Sequence, residues 1–437
     1  MNTSKRDIFW TFVFLLFAFI LQVAITSKLS HVIKDVHILA DFLSFTQILM
    51  IIAAYTSLGY DLSVDKYVKW FIQRRKFSTL NSYINLYVNI IMKMTVVVIA
   101  IILLHYTLIK LFPWLYEIFN DINFFYCNFV FIGIIVIIVN IIYFTGRVIR
   151  CYIGSKYYVL IAQLLPFLFI YLSLFGVQKV LYKCNLYLLA FIYIASFALT
   201  AAIALIVMQK VNNKKIKIKL KPFNFKINNF VKTGLAFAKS DISAYIRYFI
   251  IPVAEIGSYL NGSVATAFVS VSIVLNIFVE ILIRTISAII KPNIFVAYKA
   301  GREVFIRNIN RLALLVIFIG IVYLLIVAIF GKSILGYLYG DQLVAGYSIY
   351  LLISIGAVFD LISIPYRLSL EIIATRLAAK VSLRISFISI CALILSSAFG
   401  IHFVCVVYVF TRIGYALTLY LCFKLNMSKQ IYNIYMS

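Results

Sequence analysis

Gln209–Asn229 reads QKVNNKKIKIKLKPFNFKINN, and it is the longest polar stretch in the chain. Seven lysines lie in it: Lys210, Lys214, Lys215, Lys217, Lys219, Lys221 and Lys226. On either side the sequence returns to apolar runs of about 20 residues, the length a helix needs to cross a bilayer. Six such runs precede the stretch: Ile8–Thr26, Ile38–Leu58, Ile84–Tyr106, Phe124–Phe144, Tyr157–Phe175 and Leu186–Met208. Six follow it: Phe230–Pro252, Val264–Ile290, Ala313–Phe330, Val344–Ile364, Val381–Phe399 and Ile401–Phe423. The expectation is an all-α integral membrane protein of about twelve spans. It has a bundle at 1–208, a basic linker at 209–229 and a second bundle at 230–437. Little more than Gly400 separates the last two runs.

Composition agrees. The 437 residues are 64% hydrophobic and 12% charged, with a mean hydropathy of +1.05, whereas soluble domains are nearer half apolar and a quarter charged. The formal charge of +26 would suit nucleic acid only on a soluble basic surface. Instead the charges sort by side. Of the 40 Lys and Arg residues, 31 fall in the termini and in the segments 64–83, 147–156, 209–239, 284–311 and 367–384. Six fall on the opposite side, and Lys93, Arg247 and Arg412 lie inside runs. The positive-inside rule then places both termini in the cytoplasm. Nucleic acid is excluded as a partner. Lys5 and Arg6 before Ile8–Ala24 imitate a signal peptide, but no small-x-small site follows, so the run is read as the first span.

Motifs for soluble chemistry are missing. There is no G-x-x-x-x-G-K-[ST] and no H-E-x-x-H, and the six cysteines are scattered without C-x-x-C spacing. No catalytic residue, metal site or cofactor is expected. No large outer loop is present to carry the active site of a glycan polymerase.

Polar residues within the runs are therefore the informative ones, because ionisable groups at depth usually face a partner or a wet cavity. Asn81, Asn85, Asn89 and Lys93 share one face of the third run. They form either an interhelical seam or a cavity wall with a cation. Lys239, Ser243 and Arg247 share a face of the seventh, ahead of Pro252; Arg247 is expected to face a central cavity. Glu280 and Arg284 stand at i,i+4 in the eighth run, either as an internal pair or with Glu280 coupling an ion. Asp360, in the tenth, is expected to pair with Arg367. In the twelfth, Tyr408, Arg412 and Tyr415 share a face, where a guanidinium between rings suits phosphate and sugar. The candidate headgroup cations are Arg247, Arg412, Lys93 and Lys239. Asn85, Asn89, Ser243, Tyr408 and Tyr415 line the cavity around them. Glu280, Asp360 and Asp61 are the candidate coupling acids.

Several short stretches resemble one family. Leu58-Gly59-Tyr60-Asp61, continued by Asp65-Lys66-Tyr67-Val68, is similar to the signature after the second span of the polysaccharide transport proteins. These are the Wzx-type O-antigen flippases of the MOP superfamily, which also holds the MATE exporters. Gly262-Ser263-Val264-Ala265-Thr266-Ala267-Phe268 stands where that family has Ala-Val-Gly-x-Tyr, with Ala267 and Phe268 departing from its Gly and Tyr. Pro292 and Gly340-Asp341 with Ala345 also resemble family positions. The resemblance implies two helix bundles that open alternately to each side of a bacterial inner membrane around a cationic central cavity. It implies an undecaprenyl-type lipid-diphosphate-linked oligosaccharide as cargo, moved outward, with proton or sodium coupling. Membrane lipids, a polysaccharide polymerase and other assembly proteins would be its partners. The alternatives are a MATE-like exporter of small molecules and a membrane-embedded polymerase.

Overall fold

The computed structural model describes residues 5–33, 60–111, 129–176, 186–211 and 264–435, with scattered positions within 39–57 and 246–254. Every regular element it describes is helical. Ten helical segments are long and apolar enough to cross a bilayer among the described residues. The remaining two expected spans, Ile38–Leu58 and Phe230–Pro252, lie largely outside them, as does the linker. The chain divides into two compact units, Met1–Ala238 and Lys239–Ser437.

In the first unit α1 (Lys5–Val32) precedes a short amphipathic helix, α2 (Tyr60–Gln73). Then come α3 (Phe77–Leu111), α4 (Phe129–Ile153), α5 (Ser155–Val159), α6 (Leu165–Gly176) and α7 (Leu186–Val211). A π-helical turn, Leu160–Leu164, joins α5 to α6 within one span. α4 is the hub, with α2, α3, α5 and α7 packed on it. The basic segment 64–83 lies between the second and third expected spans and is α2 plus the first turns of α3. Val64, Val68 and Phe71 recur at helical spacing and bury the apolar face of α2.

The basic segments 147–156, 284–311 and 367–384 are also helical, with corners of one residue at Gly154, Gly301 and Ala374. Hydropathy marks where lipid ends, and a helix continues past that point because its backbone bonds remain satisfied in water. Gly154 turns the chain at φ +121, a conformation that disfavours any side chain. Just beyond it the amides of Ser155 and Lys156 donate to the Asp7 carboxylate, at 3.2 and 3.4 Å. A carboxylate from α1 thus supplies the N-terminal cap of α5.

The second unit contains α8 (Val264–Leu275), α9 (Ile277–Ala300), α10 (Arg302–Tyr339), α11 (Tyr347–Ile373), α12 (Thr375–Ser396) and α13 (Ile401–Tyr435). Its hub is α11, packed against α8, α9, α10, α12 and α13. The turn between the last two spans is Ser397–Phe399 followed by Gly400 at φ +91.

Each unit is cross-tied by a buried asparagine. In the first, Asn140 on α4 donates to the Thr56 hydroxyl at 2.8 Å and accepts from Tyr87 on α3. In the second, Asn276, at the break between α8 and α9, donates to Ser354 on α11 at 3.1 Å and accepts from Tyr323 on α10 at 3.0 Å. The same three expected spans are tied in both halves: second, third and fourth, then eighth, ninth and tenth. An amide between two hydroxyls satisfies polar groups that lipid cannot. Asn140→Leu and Asn276→Leu are each expected to cost about 1–2 kcal/mol. Their sum should hold in the double variant, since the sites share no partner. Thermal unfolding in detergent checks both statements, and a large non-additive term would contradict them.

Candidate functional site

α11 and α13 run parallel and in register over most of their length. Near one end Ser348 and His402 side chains meet at 2.9 Å. Further along, Gly356 on α11 has no side chain, and the ring of Tyr408 on α13 occupies the space a Cβ would need. One turn on in each helix, the Arg412 Nη1 donates to the Asp360 Oδ1 at 3.1 Å. Further still, the Tyr366 ring lies 5.2 Å from that of Tyr420. The sequence offset between partners stays at 52 to 54 throughout. Glycine at 356 is what brings the two backbones close enough for the charged pair one turn on.

Asp360 lies twelve residues, about 18 Å along the helix, from the Ser348 end. It lies only about 9 Å from Tyr366, so the pair is well inside the span. Arg412 is 0% exposed and Asp360 11%. The guanidinium carbon sits 5.6 Å from the centre of the Tyr408 ring and 5.5 Å from that of Tyr415. The ring faces attract the cation. Tyr415 is in turn held by Ser382 on α12, the two hydroxyls being 3.2 Å apart. Three helices therefore fix this one positive group. The expected partner of Asp360 was Arg367, and that expectation is corrected: Arg367 lies by Glu371, 4.0 Å away on its own helix. One helical turn separates those two, while Asp360 points across to α13.

In the first unit, α3 carries the asparagine stripe. The Asn89 amide donates to the Asn85 carbonyl at 2.8 Å. Lys93 is only 7% exposed and lies sixteen residues, about 24 Å, from the start of α3. Glu280 on α9 is buried, one turn beyond Asn276. The side chain of Arg284 lies outside the described residues. So do Lys239, Ser243 and Arg247, and so does the side chain of Asp61 on α2. Among the described residues no cluster of His, Cys, Asp and Glu could hold a metal ion.

Sequence reasoning found the cation and its two rings from their helical spacing. It missed Gly356, Ser382 and the two cross-tying asparagines. A faint trace was available for Gly356, which precedes Asp360 by the same four residues that separate Tyr408 from Arg412.

Solved structures share this fold. The chain superposes on an inward-facing multidrug resistance MATE family transporter of the MOP superfamily with a TM-score of 0.65, at 14% identity over 94% of each chain. It matches the Vibrio cholerae MATE transporter VcmN, in a mutant form, with a TM-score of 0.62 at 14% identity over 97% of each. A MATE protein in complex with MaL6 gives 0.62 at 13% identity, over 98% of this chain and 97% of that one. The fold is that of the MATE transporters. No protein-family model matches the sequence, and no curated protein matches it. The likeness is one of fold, a multi-span helical architecture, and function must be argued from the side chains.

Proposed function

We propose that this chain moves a lipid-diphosphate-linked oligosaccharide of the undecaprenyl type from the cytoplasmic to the outer leaflet of a bacterial inner membrane. Arg412 carries the reading: a guanidinium sealed deep in a span, flanked by two tyrosine rings and neutralised by one carboxylate. Taking a diphosphate through hydrocarbon costs far more than a cell can supply without fixed counter-charges. Lys93 in one unit and Arg412 in the other are cations held at such depth. The tyrosine rings add faces on which sugar can stack, and the asparagine stripe adds amide donors and acceptors for hydroxyls. The lipid tail can stay in the bilayer while the headgroup passes.

A second reading, an ion-coupled exporter of small cations, is supported by the buried acids Glu280 and Asp360 and by the fold. Against it stands Lys93, a cation buried inside a span, which repels a cationic cargo.

The test is transbilayer movement in vesicles. Purified protein reconstituted with a fluorescent polyprenyl-diphosphate-linked disaccharide should expose the inner-leaflet label to an external reductant. Lys93→Met keeps the length and apolarity of the stem. It is expected to slow that movement tenfold or more while the melting temperature stays within a few degrees. Absence of lipid movement by the wild-type protein, alongside proton- or sodium-driven efflux of a cationic dye, would replace this reading with the exporter.

A further inference from the structure

One side of α10 carries a stripe that the site above does not use. Arg307, Arg311, Leu314, Phe318, Ile321 and Leu325 follow one another at steps of three or four, so they share a face. All six are exposed. The apolar part of this exposed surface runs from Leu314 to Phe330, about 24 Å at 1.5 Å per residue, close to the hydrocarbon thickness of a bilayer. At its far end Lys332 sits 5.5 Å from the Tyr347 ring, and Tyr337 is 87% exposed. A lysine and tyrosines at that level mark the opposite interface.

This register fixes the depth of the two arginines. The backbone of Arg311 lies about 5 Å beyond the last apolar residue and that of Arg307 about 11 Å beyond. The headgroup layer is roughly 5–7 Å thick on each side, so Arg311 lies within it and Arg307 just outside it. Helical side chains lean toward the N-terminus, here away from the bilayer, so the flexible Arg307 stem bends back for its guanidinium to meet a phosphate held at Arg311. They line a shallow groove of about 450 Å³ with Glu303, Ile306, Asn310 and Leu314. Among the described residues neither arginine forms an ion pair, Glu303 included. Two like charges one turn apart repel each other unless an anion lies between them.

We infer that this face of α10 retains an anionic phospholipid of the basic-side leaflet. Its phosphate lies between Arg307 and Arg311, and an acyl chain runs along Leu314 and Phe318. Arginine forks match phosphate oxygens in pairs, and each basic group at the surface adds to the attraction. The occupant is a resident lipid, not the cargo, so the inference stands whichever cargo the transporter carries.

Native mass spectrometry of the full chain in neutral detergent tests it, with phosphatidylglycerol and phosphatidylcholine offered in competition. The wild-type protein should retain phosphatidylglycerol over phosphatidylcholine by about tenfold. In Arg307→Gln/Arg311→Gln that preference should fall to near parity with phosphatidylcholine adducts unchanged. The control Arg74→Gln/Lys76→Gln, at exposed basic positions between α2 and α3, should retain it. An unchanged preference in the α10 variant overturns the inference, as does equal loss in the control, which would mean diffuse surface charge. Displacement of phosphatidylglycerol by equimolar geranylgeranyl diphosphate would also overturn it, because the groove would then prefer a carrier-like diphosphate.

Discussion

Arg412→Leu is expected to destabilise the protein by about 3–5 kcal/mol and to abolish transport. The stability loss comes from the partner. With the guanidinium gone, Asp360 keeps a carboxylate inside the span with 11% exposure and loses the donor 3.1 Å away. Breaking a buried pair on one side carries a cost of that size, whereas removing both charges can be nearly neutral. Asp360→Leu should therefore be comparably damaging, and Arg412→Leu/Asp360→Leu should recover most of the lost stability. Transport separates the structural role from the functional one. If Arg412 meets the diphosphate, the double variant folds and still moves no lipid-linked sugar. Thermal unfolding in detergent and the vesicle assay measure the two quantities on the same preparations. A double variant that both folds and transports at the wild-type rate would remove Arg412 from the cargo path and leave it a packing element.

The aromatic flanks sharpen this expectation. Arg412→Lys keeps the charge but loses the planar fork, and an ammonium neither stacks on tyrosine nor binds a carboxylate in two places as arginine does. It should retain more stability than leucine and recover only part of the transport.

How far these features could be read in advance follows from what each depends on. The apolar runs were legible because a bilayer imposes a length and a composition on any helix that crosses it. The ends of those helices were not. The segment 284–311 carries six basic residues and from Lys291 onward lies outside the expected spans, yet it is helical apart from Gly301. Charge reports contact with water, and a helix tolerates water. Within α13 the grouping of Tyr408, Arg412 and Tyr415 was legible because local spacing decides it. Their partner was not, because Asp360 reaches Arg412 only through the register of two helices whose residues are 52 apart in sequence. Reasoning along one face of a single helix named Arg367, two turns away, and failed for that reason. Ser382 was beyond reach for the same cause: nothing local says that it meets Tyr415.

The glycine that sets this register gives the second large effect. Gly356→Ala places a Cβ where the Tyr408 ring now lies, and Tyr408 has no room to retreat. It is fully buried in a cluster that includes Ile349, Ile353, Leu393, Val404 and Cys405. Overpacking of this kind costs about 1–3 kcal/mol, and the strain must be relieved by moving α13 away from α11. Separation on the order of an ångström at this rung lengthens the contact between Arg412 and Asp360 on the next. Gly356→Ala should thus resemble Arg412→Leu in transport while removing no charge, and Gly356→Leu should fail to fold. Trimming the ring discriminates the cause. Gly356→Ala/Tyr408→Leu makes space for the new methyl group, so stability should rise relative to Gly356→Ala alone. If instead the two changes are simply additive in thermal unfolding, Gly356 does not govern the approach of these helices, and the pairing of Asp360 with Arg412 must be enforced from elsewhere in the unit.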